Sequence, residues 1–186
     1  MSLRRGWQRC GISLKEGGGL RITGGNSLCS CFQQHLLARR VASLHMKAGC
    51  EMTFRARCAN HTAGLVVMYN CANWHYLYLS ADDDGKPVAC VTTCENNQLT
   101  DHALMRLPEG TDTCRLQACV DGAELRFAID VNGQTLELGP ALDMRLLSDE
   151  HVNGNGFTSA MLGICCQDLQ GDGCAADFAW FDYEDL

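Results

Sequence analysis

Between Glu124 and Val131 apolar and polar residues alternate without a break: Leu125, Phe127, Ile129 and Val131 share one phase, and Glu124, Arg126 and Asp130 the other. Side chains on a strand point alternately to its two faces, so this pattern reads as a strand buried on one side. Asp121-Gly122 before it and Asn132-Gly133 after it supply the positive backbone angles of tight hairpins, which predicts a meander over residues 114–120, 124–131 and 134–138. Cys50, Met52, Phe54, Ala56 and Cys58 alternate with Glu51, Thr53, Arg55 and Arg57, predicting a strand over 50–58. Segments 65–69, 74–80 and 88–94 also read as strands, with Asp82-Asp83-Asp84-Gly85-Lys86-Pro87 as the turn between the last two. A turn at Gly17-Gly18-Gly19 precedes a strand at 20–23, strands at 159–167 and 177–184 close the pattern, and 143–148 has room for a short helical turn. Many short strands between Gly, Asn and Asp turns predict an antiparallel all-β sandwich or barrel.

At 186 residues the chain is long enough for one core of ordinary size, and no shift in composition marks a second domain. The balance of 15 Lys and Arg against 22 Asp and Glu leaves −7, with no basic stripe to neutralise phosphates, which argues against a nucleic-acid partner. No apolar run approaches a membrane span, and the start at Met1-Ser2-Leu3-Arg4-Arg5-Gly6 lacks the apolar stretch of a signal peptide. The expected location is the cytoplasm, with no membrane partner.

Thirteen cysteines are the main oddity of the composition. An odd number without an export signal argues for reduced thiols rather than a closed disulfide framework. Their spacings repeat no zinc pattern: Cys29 and Cys31 are one residue apart, Cys165 and Cys166 are adjacent, and Cys90 and Cys94 have no matching second pair. Cys50, Cys58 and Cys114 fall on the apolar phase of strands, where a thiol serves as a small hydrophobe.

Self-contained chemistry is scarce. There is no Gly-x-Ser-x-Gly elbow, no phosphate-cradling loop followed by Lys and Ser or Thr, and no His-Glu-x-x-His motif. Asp149-Glu150-His151 could supply an acid and a base, but neighbours on a polar loop usually point apart. Asp82-Asp83-Asp84-Gly85 resembles the start of a calcium loop without its later ligands and reads as a hairpin tip, while Asn60-His61-Thr62 is a glycosylation acceptor only in an exported chain.

Two aromatic features remain. Trp74, Tyr76 and Tyr78 fall on one face of a strand and His75, Leu77 and Leu79 on the other. An exposed row of this kind would stack on sugar rings, whereas a covered row would fill the core; spacing favours the core and makes His75 a packed strand residue. Phe157 sits in Gly154-Asn155-Gly156-Phe157-Thr158-Ser159, ahead of the apolar run Met161-Leu162-Gly163-Ile164. It either lines a ligand site from a glycine-flanked loop or plugs the end of the core.

The segments Leu20-Arg21-Ile22 through Leu36-Leu37-Ala38-Arg39-Arg40, Ala63-Gly64-Leu65-Val66-Val67-Met68-Tyr69-Asn70 with Trp74-His75-Tyr76-Leu77-Tyr78, and Leu147-Ser148-Asp149-Glu150 follow one another in a telling order. Gly156-Phe157-Thr158-Ser159-Ala160, Gly163-Ile164-Cys165-Cys166-Gln167-Asp168-Leu169 and the ending Ala176-Asp177-Phe178-Ala179-Trp180-Phe181-Asp182-Tyr183 complete it. Together they resemble the C-terminal concanavalin A-like β-sandwich module of family 43 glycoside hydrolases of the β-xylosidase type, over nearly the whole chain. The resemblance implies a two-sheet jelly roll over residues 11–186, with 1–10 as an N-terminal tail or the remnant of a truncated start, and so a fragment of a longer enzyme. In that family a five-bladed propeller carries the carboxylates of inverting hydrolysis, so the resemblance places the acid and base outside this sequence and leaves the isolated chain inactive. It makes Phe157 the ring that enters the propeller's pocket and limits it to short xylo-oligosaccharides. It implies no cofactor, although related sandwiches carry a structural calcium near their terminal strands, which makes Asp177 a candidate ligand or a paired carboxylate. Two alternatives stay open: a free-standing carbohydrate-binding module using Trp74, Tyr76 and Tyr78, and a structural domain that supports the propeller or a homo-oligomer. The resemblance does not account for the cysteines.

Overall fold

The computed structural model describes residues 11–152 and 159–186. Within them the chain runs through β1 (Ile12–Leu14), β2 (Leu20–Thr23), β3 (His35–Arg40), β4 (His45–Thr53), β5 (His61–Asn70), β6 (Asn73–Ala81) and β7 (Pro87–Glu95). It continues through β8 (Gln98–Arg106), β9 (Thr113–Asp121), β10 (Glu124–Val131), β11 (Gln134–Glu137), β12 (Leu142–Asp143), a 3-10 turn (Met144–Leu147), β13 (Met161–Asp168) and β14 (Ala175–Asp185). One sheet has the order β1-β2-β14-β4-β9-β10-β11 with β12 on β10; the other is β3-β13-β5-β6-β7-β8. Every ladder is antiparallel, and the two sheets form the expected sandwich. No helix among the described residues is long and apolar enough to cross a membrane.

The predicted meander is present as β9, β10 and β11, turned at Gly122 (φ 62°) and at Asn132 and Gly133 (φ 55° and 81°). Leu125, Phe127 and Ile129 face inward, where they meet Leu65, Leu77, Val91 and Ile164 of the other sheet in the main core. The strand expected over 50–58 is displaced: β4 begins at His45 and ends at Thr53. Phe54 is still buried, with its N–H on Asp112 O at 2.7 Å, but Ala56 and Cys58 lie in the loop before β5. There the alternation persists without a ladder, because Arg57 turns to Asp172 and a Cys58 to His61 turn closes at 3.1 Å. The patterning left 98–106 without a strand. β8 is an edge strand with no fully buried residue and a register shift opposite Val91 and Thr92, so no face carries a consistent apolar phase.

A second, smaller core lies on the outer face of the second sheet. Val66 and Met68 of β5, Trp74 and Tyr76 of β6, Cys94 of β7 and Cys165 of β13 are buried there beneath Leu28. The cover is the segment 24–34. Gly25 bridges Gln167, Gln167 Oε1 accepts from Leu28 N at 2.8 Å, and Gln34 Nε2 donates to Leu28 O at 2.6 Å. Burying one sheet face against the other sheet and its opposite face under a loop makes β5, β6 and β7 nearly continuous in burial.

Candidate functional site

The aromatic row belongs to this covered face. Trp74 and Tyr76 are 5% and 2% exposed, and their rings meet edge to face at 6.2 Å. Tyr76 and Tyr78 stack at 4.6 Å with 20° between their planes. Burial holds the Tyr76 hydroxyl well above its usual range and pushes that of Tyr78 up to about 12. Tyr78 alone of the three is half-buried; it lines a recess of about 310 Å³ with Asp82, Asp101 and Leu104, and its hydroxyl lies 3.2 Å from Thr92 Oγ1.

His75 faces the opposite way, into the space between the sheets. Its Nδ1 lies 2.8 Å from Thr93 Oγ1 and its Nε2 3.1 Å from Asp143 O, while His102 Nε2 lies 2.8 Å from the same Thr93 oxygen. One assignment satisfies every group: His102 Nε2–H donates to Thr93, the Thr93 hydroxyl donates to His75 Nδ1, and His75 Nε2–H donates to the Asp143 carbonyl. Burial draws His75 down to about 4 and keeps the ring neutral. The chain of bonds fastens β6 to the 3-10 turn. Asp143 caps that turn by accepting from Arg145 N at 2.9 Å, and the Arg145 guanidinium beside it holds its carboxyl below the usual range.

From this turn the chain leads to residues 153–158, which include Phe157 and lie outside the described residues. The flanks are held. Tyr69 donates its hydroxyl to Asp149, and His151 Nε2 lies 2.9 Å from Glu95 Oε1. Asp149 and His151 thus turn to different strands and share no acid–base geometry. On the far side Ala160 O accepts from Val41 N at 2.9 Å. Between the flanks is a mostly apolar recess of about 460 Å³, lined by Val41, Leu44, Met144, Leu147 and Ala160 with Asp149 and Glu150 at its edge. None of these pairings follows from local pattern: Tyr69 and Asp149 are 80 residues apart.

The remaining charged candidates are occupied. Asp177 accepts from Arg21 Nε and Nη2, each at 2.7 Å, and from Lys15 Nζ at 2.8 Å, so both oxygens face cations. Asp82 Oδ1 accepts from the backbone of Asp84 and Lys86, the geometry of a hairpin tip. His61, Asp168 and Cys174 bring ligand atoms within 4.8 Å of one another. Burial alone would raise the Asp168 carboxyl, but backbone N–H groups of Gly171, Cys174 and Gly173 outweigh it and hold the carboxyl below the usual range. Arg57 N donates to His61 Nδ1 at 3.3 Å, which leaves the ring proton on Nε2, facing Asp172 Oδ1 at 2.9 Å. That cluster ties the β13–β14 loop to β5.

Residues 2–184 match the model of the beta xylosidase C-terminal concanavalin A-like domain. The chain is 32% identical over 172 residues to a putative beta-xylosidase of Escherichia coli and 31% identical over 171 residues to a beta-xylosidase of Bacillus subtilis. These alignments cover 90% and 89% of the chain, which spans about a third of each relative's length (32% in both). Its fold superposes on a crystal structure of xylan beta-1,4-xylosidase from Bacillus halodurans with a TM-score of 0.89 at 24% identity, over 95% of this chain and 34% of that one. With the family model matched over residues 2–184, the chain belongs to the family of beta xylosidase C-terminal concanavalin A-like domains.

Proposed function

We propose that this chain is the accessory β-sandwich module of a xylan-degrading glycoside hydrolase, of β-xylosidase or α-L-arabinofuranosidase type, and that it completes the substrate pocket of a separate catalytic propeller through Phe157. The match over residues 2–184, at about a third of the length of relatives named beta-xylosidase, carries the reading. In this reading residues 11–186 are the module, the hydrolytic acid and base belong to the propeller, and the chain alone is inactive. A ring presented beside the sugar would act by excluding water and closing the pocket behind a short xylo-oligosaccharide. It needs fixed ends, and the Tyr69–Asp149 bond, the Val41–Ala160 bond and the His75 relay supply them. The cysteine usage supports a cytoplasmic enzyme. The edge strand β8, with Leu99 and Leu104 exposed, is the surface we assign to any self-association.

In the full-length enzyme Phe157→Ala is expected to lower kcat/KM on xylobiose by about tenfold or more, the loss of one good stacking contact. Unchanged kinetics would overturn the role. A second reading, a free-standing carbohydrate-binding module, draws support from Tyr78, which opens onto the 310 Å³ recess beside Asp82 and Asp101. Calorimetric heat from this chain with millimolar xylo-oligosaccharide, abolished by Tyr78→Ala, would favour it.

A further inference from the structure

Four cysteines scattered through the sequence meet at the rim of the outer core. Cys29 and Cys31 lie on the covering segment 24–34, Cys71 lies in the turn between β5 and β6, and Cys94 lies near the end of β7. Cys31 is exposed, Cys71 is half-buried, and their sulfurs are 3.3 Å apart although 40 residues separate them in sequence. Beneath them Cys94 is buried beside Cys29 and directs its thiol to Ala72 O at 3.3 Å. We propose that Cys31 and Cys71 are a reversible dithiol–disulfide site, oxidised by low-molecular-weight disulfides, that staples the segment 24–34 over Trp74 and Tyr76.

Exposure separates this pair from the other thiols in contact, Cys29 with Cys94 and Cys166 with Cys174, each of which includes a buried sulfur. A disulfide bond is about 2.05 Å long, so closure asks the two sulfurs to approach by roughly 1.2 Å. Both residues lie outside the ladders, where small backbone shifts cost no strand register. Cys50, Cys114, Cys165 and Cys166 are buried in the cores, and burial holds the thiols of Cys114 and Cys165 up to about 12, which keeps them protonated and unreactive. Cys71 is also held above its usual range, first by its hydrogen bond with Cys31. The exposed partner, Cys31, is therefore the one that meets an oxidant.

The exchange balances in two steps. The Cys31 thiolate attacks one sulfur of a small disulfide RSSR, forming Cys31–S–S–R and expelling RS⁻. The Cys71 thiolate then attacks the Cys31 sulfur, forming the internal bond and expelling the second RS⁻. The two protons lost by the protein thiols end on two molecules of RSH; the protein dithiol is oxidised and the small disulfide is reduced. Trp74 Nε1 donates to Cys71 O at 3.3 Å, so the new bond ties the cover directly to the turn that holds the row.

The test is mass spectrometry of the purified chain after incubation with oxidised glutathione. The expected result is a loss of two hydrogens, a cross-link joining Cys31 to Cys71, reversal by dithiothreitol, and at least tenfold slower hydrogen exchange at the Leu28 amide. Cys71→Ser should instead accumulate glutathione on Cys31, while Cys119→Ser, a half-buried thiol on β9, should behave as the parent chain. A stable glutathione adduct on Cys31 of the parent chain without a cross-link would overturn the proposal. So would a bridge joining any other pair, or equal alkylation of Cys31 and Cys71 with and without the oxidant.

Discussion

On one face of β6, His75, Leu77 and Leu79 look into the space between the sheets; on the other, Trp74 and Tyr76 look outward beneath residues 24–34, with Tyr78 half-buried beside them. The inner face is packed by a whole sheet, and unfolding it means separating the sandwich. The outer face is sealed by one loop, which Leu28, the two ends of Gln167 and a few backbone bonds hold in place. Equal burial therefore predicts unequal permanence: a core sealed by one loop is expected to open locally before the sandwich separates.

The sharpest way to break this comparison is Tyr76→Ala. If the outer row is a true core, the substitution costs about 4 kcal/mol in urea denaturation, as for other buried aromatic truncations. Tyr76→Phe should cost under about 1 kcal/mol, since the hydroxyl reaches Thr62 only at 3.4 Å. A cost below about 0.5 kcal/mol for the alanine would mean that the row behaves as exposed surface.

The inner face has its own signature in pH. His75 titrates at about 4 when folded and near its ordinary value of about 6.5 when unfolded, so between those limits the unfolded chain binds the extra proton. Its contribution is complete above pH 6.5 and is lost as the pH falls toward 4, amounting to about 3 kcal/mol. Denaturant melts at stepped pH should show this slope, and His75→Gln should flatten it. A slope unchanged in the variant would assign the loss to other groups.

The smallest effect probes the seal. Gln167 Oε1 accepts from Leu28 N and its Nε2 donates to Thr62 Oγ1, both at 2.8 Å. Gln167→Leu removes both bonds, leaves the buried Leu28 N–H without its partner and should cost about 2 kcal/mol. Hydrogen exchange should quicken at the Leu28 amide while the amides of β9 and β10 keep their protection. Uniform loss of protection would mean that the two cores open together.

Much of the sandwich is legible along the chain. The hairpins at Gly122 and at Asn132-Gly133 announce themselves because few residues other than Gly and Asn accept positive φ, and Leu125, Phe127 and Ile129 alternate against solvent. Beyond Thr53 the same reasoning fails: Ala56 and Cys58 keep the phase of a strand while the backbone follows Arg57 to Asp172. β8 was not legible, since an exposed edge carries no consistent apolar phase. In the candidate site the row Trp74, Tyr76 and Tyr78 could be read as sharing a face. That Asp149 meets Tyr69, or that Cys31 meets Cys71, could not.

Period-two alternation and turn chemistry are local properties, so they carried most of the strands and their reversals, while the family resemblance rested on the residues of particular segments. Which face of β6 meets the opposing sheet, what covers the other, and which thiols touch depend on segments tens of residues apart. No local pattern encodes that distance. Burial is set by what lies across a sheet-to-sheet gap of about 10 Å, and only the closed sandwich brings those groups together.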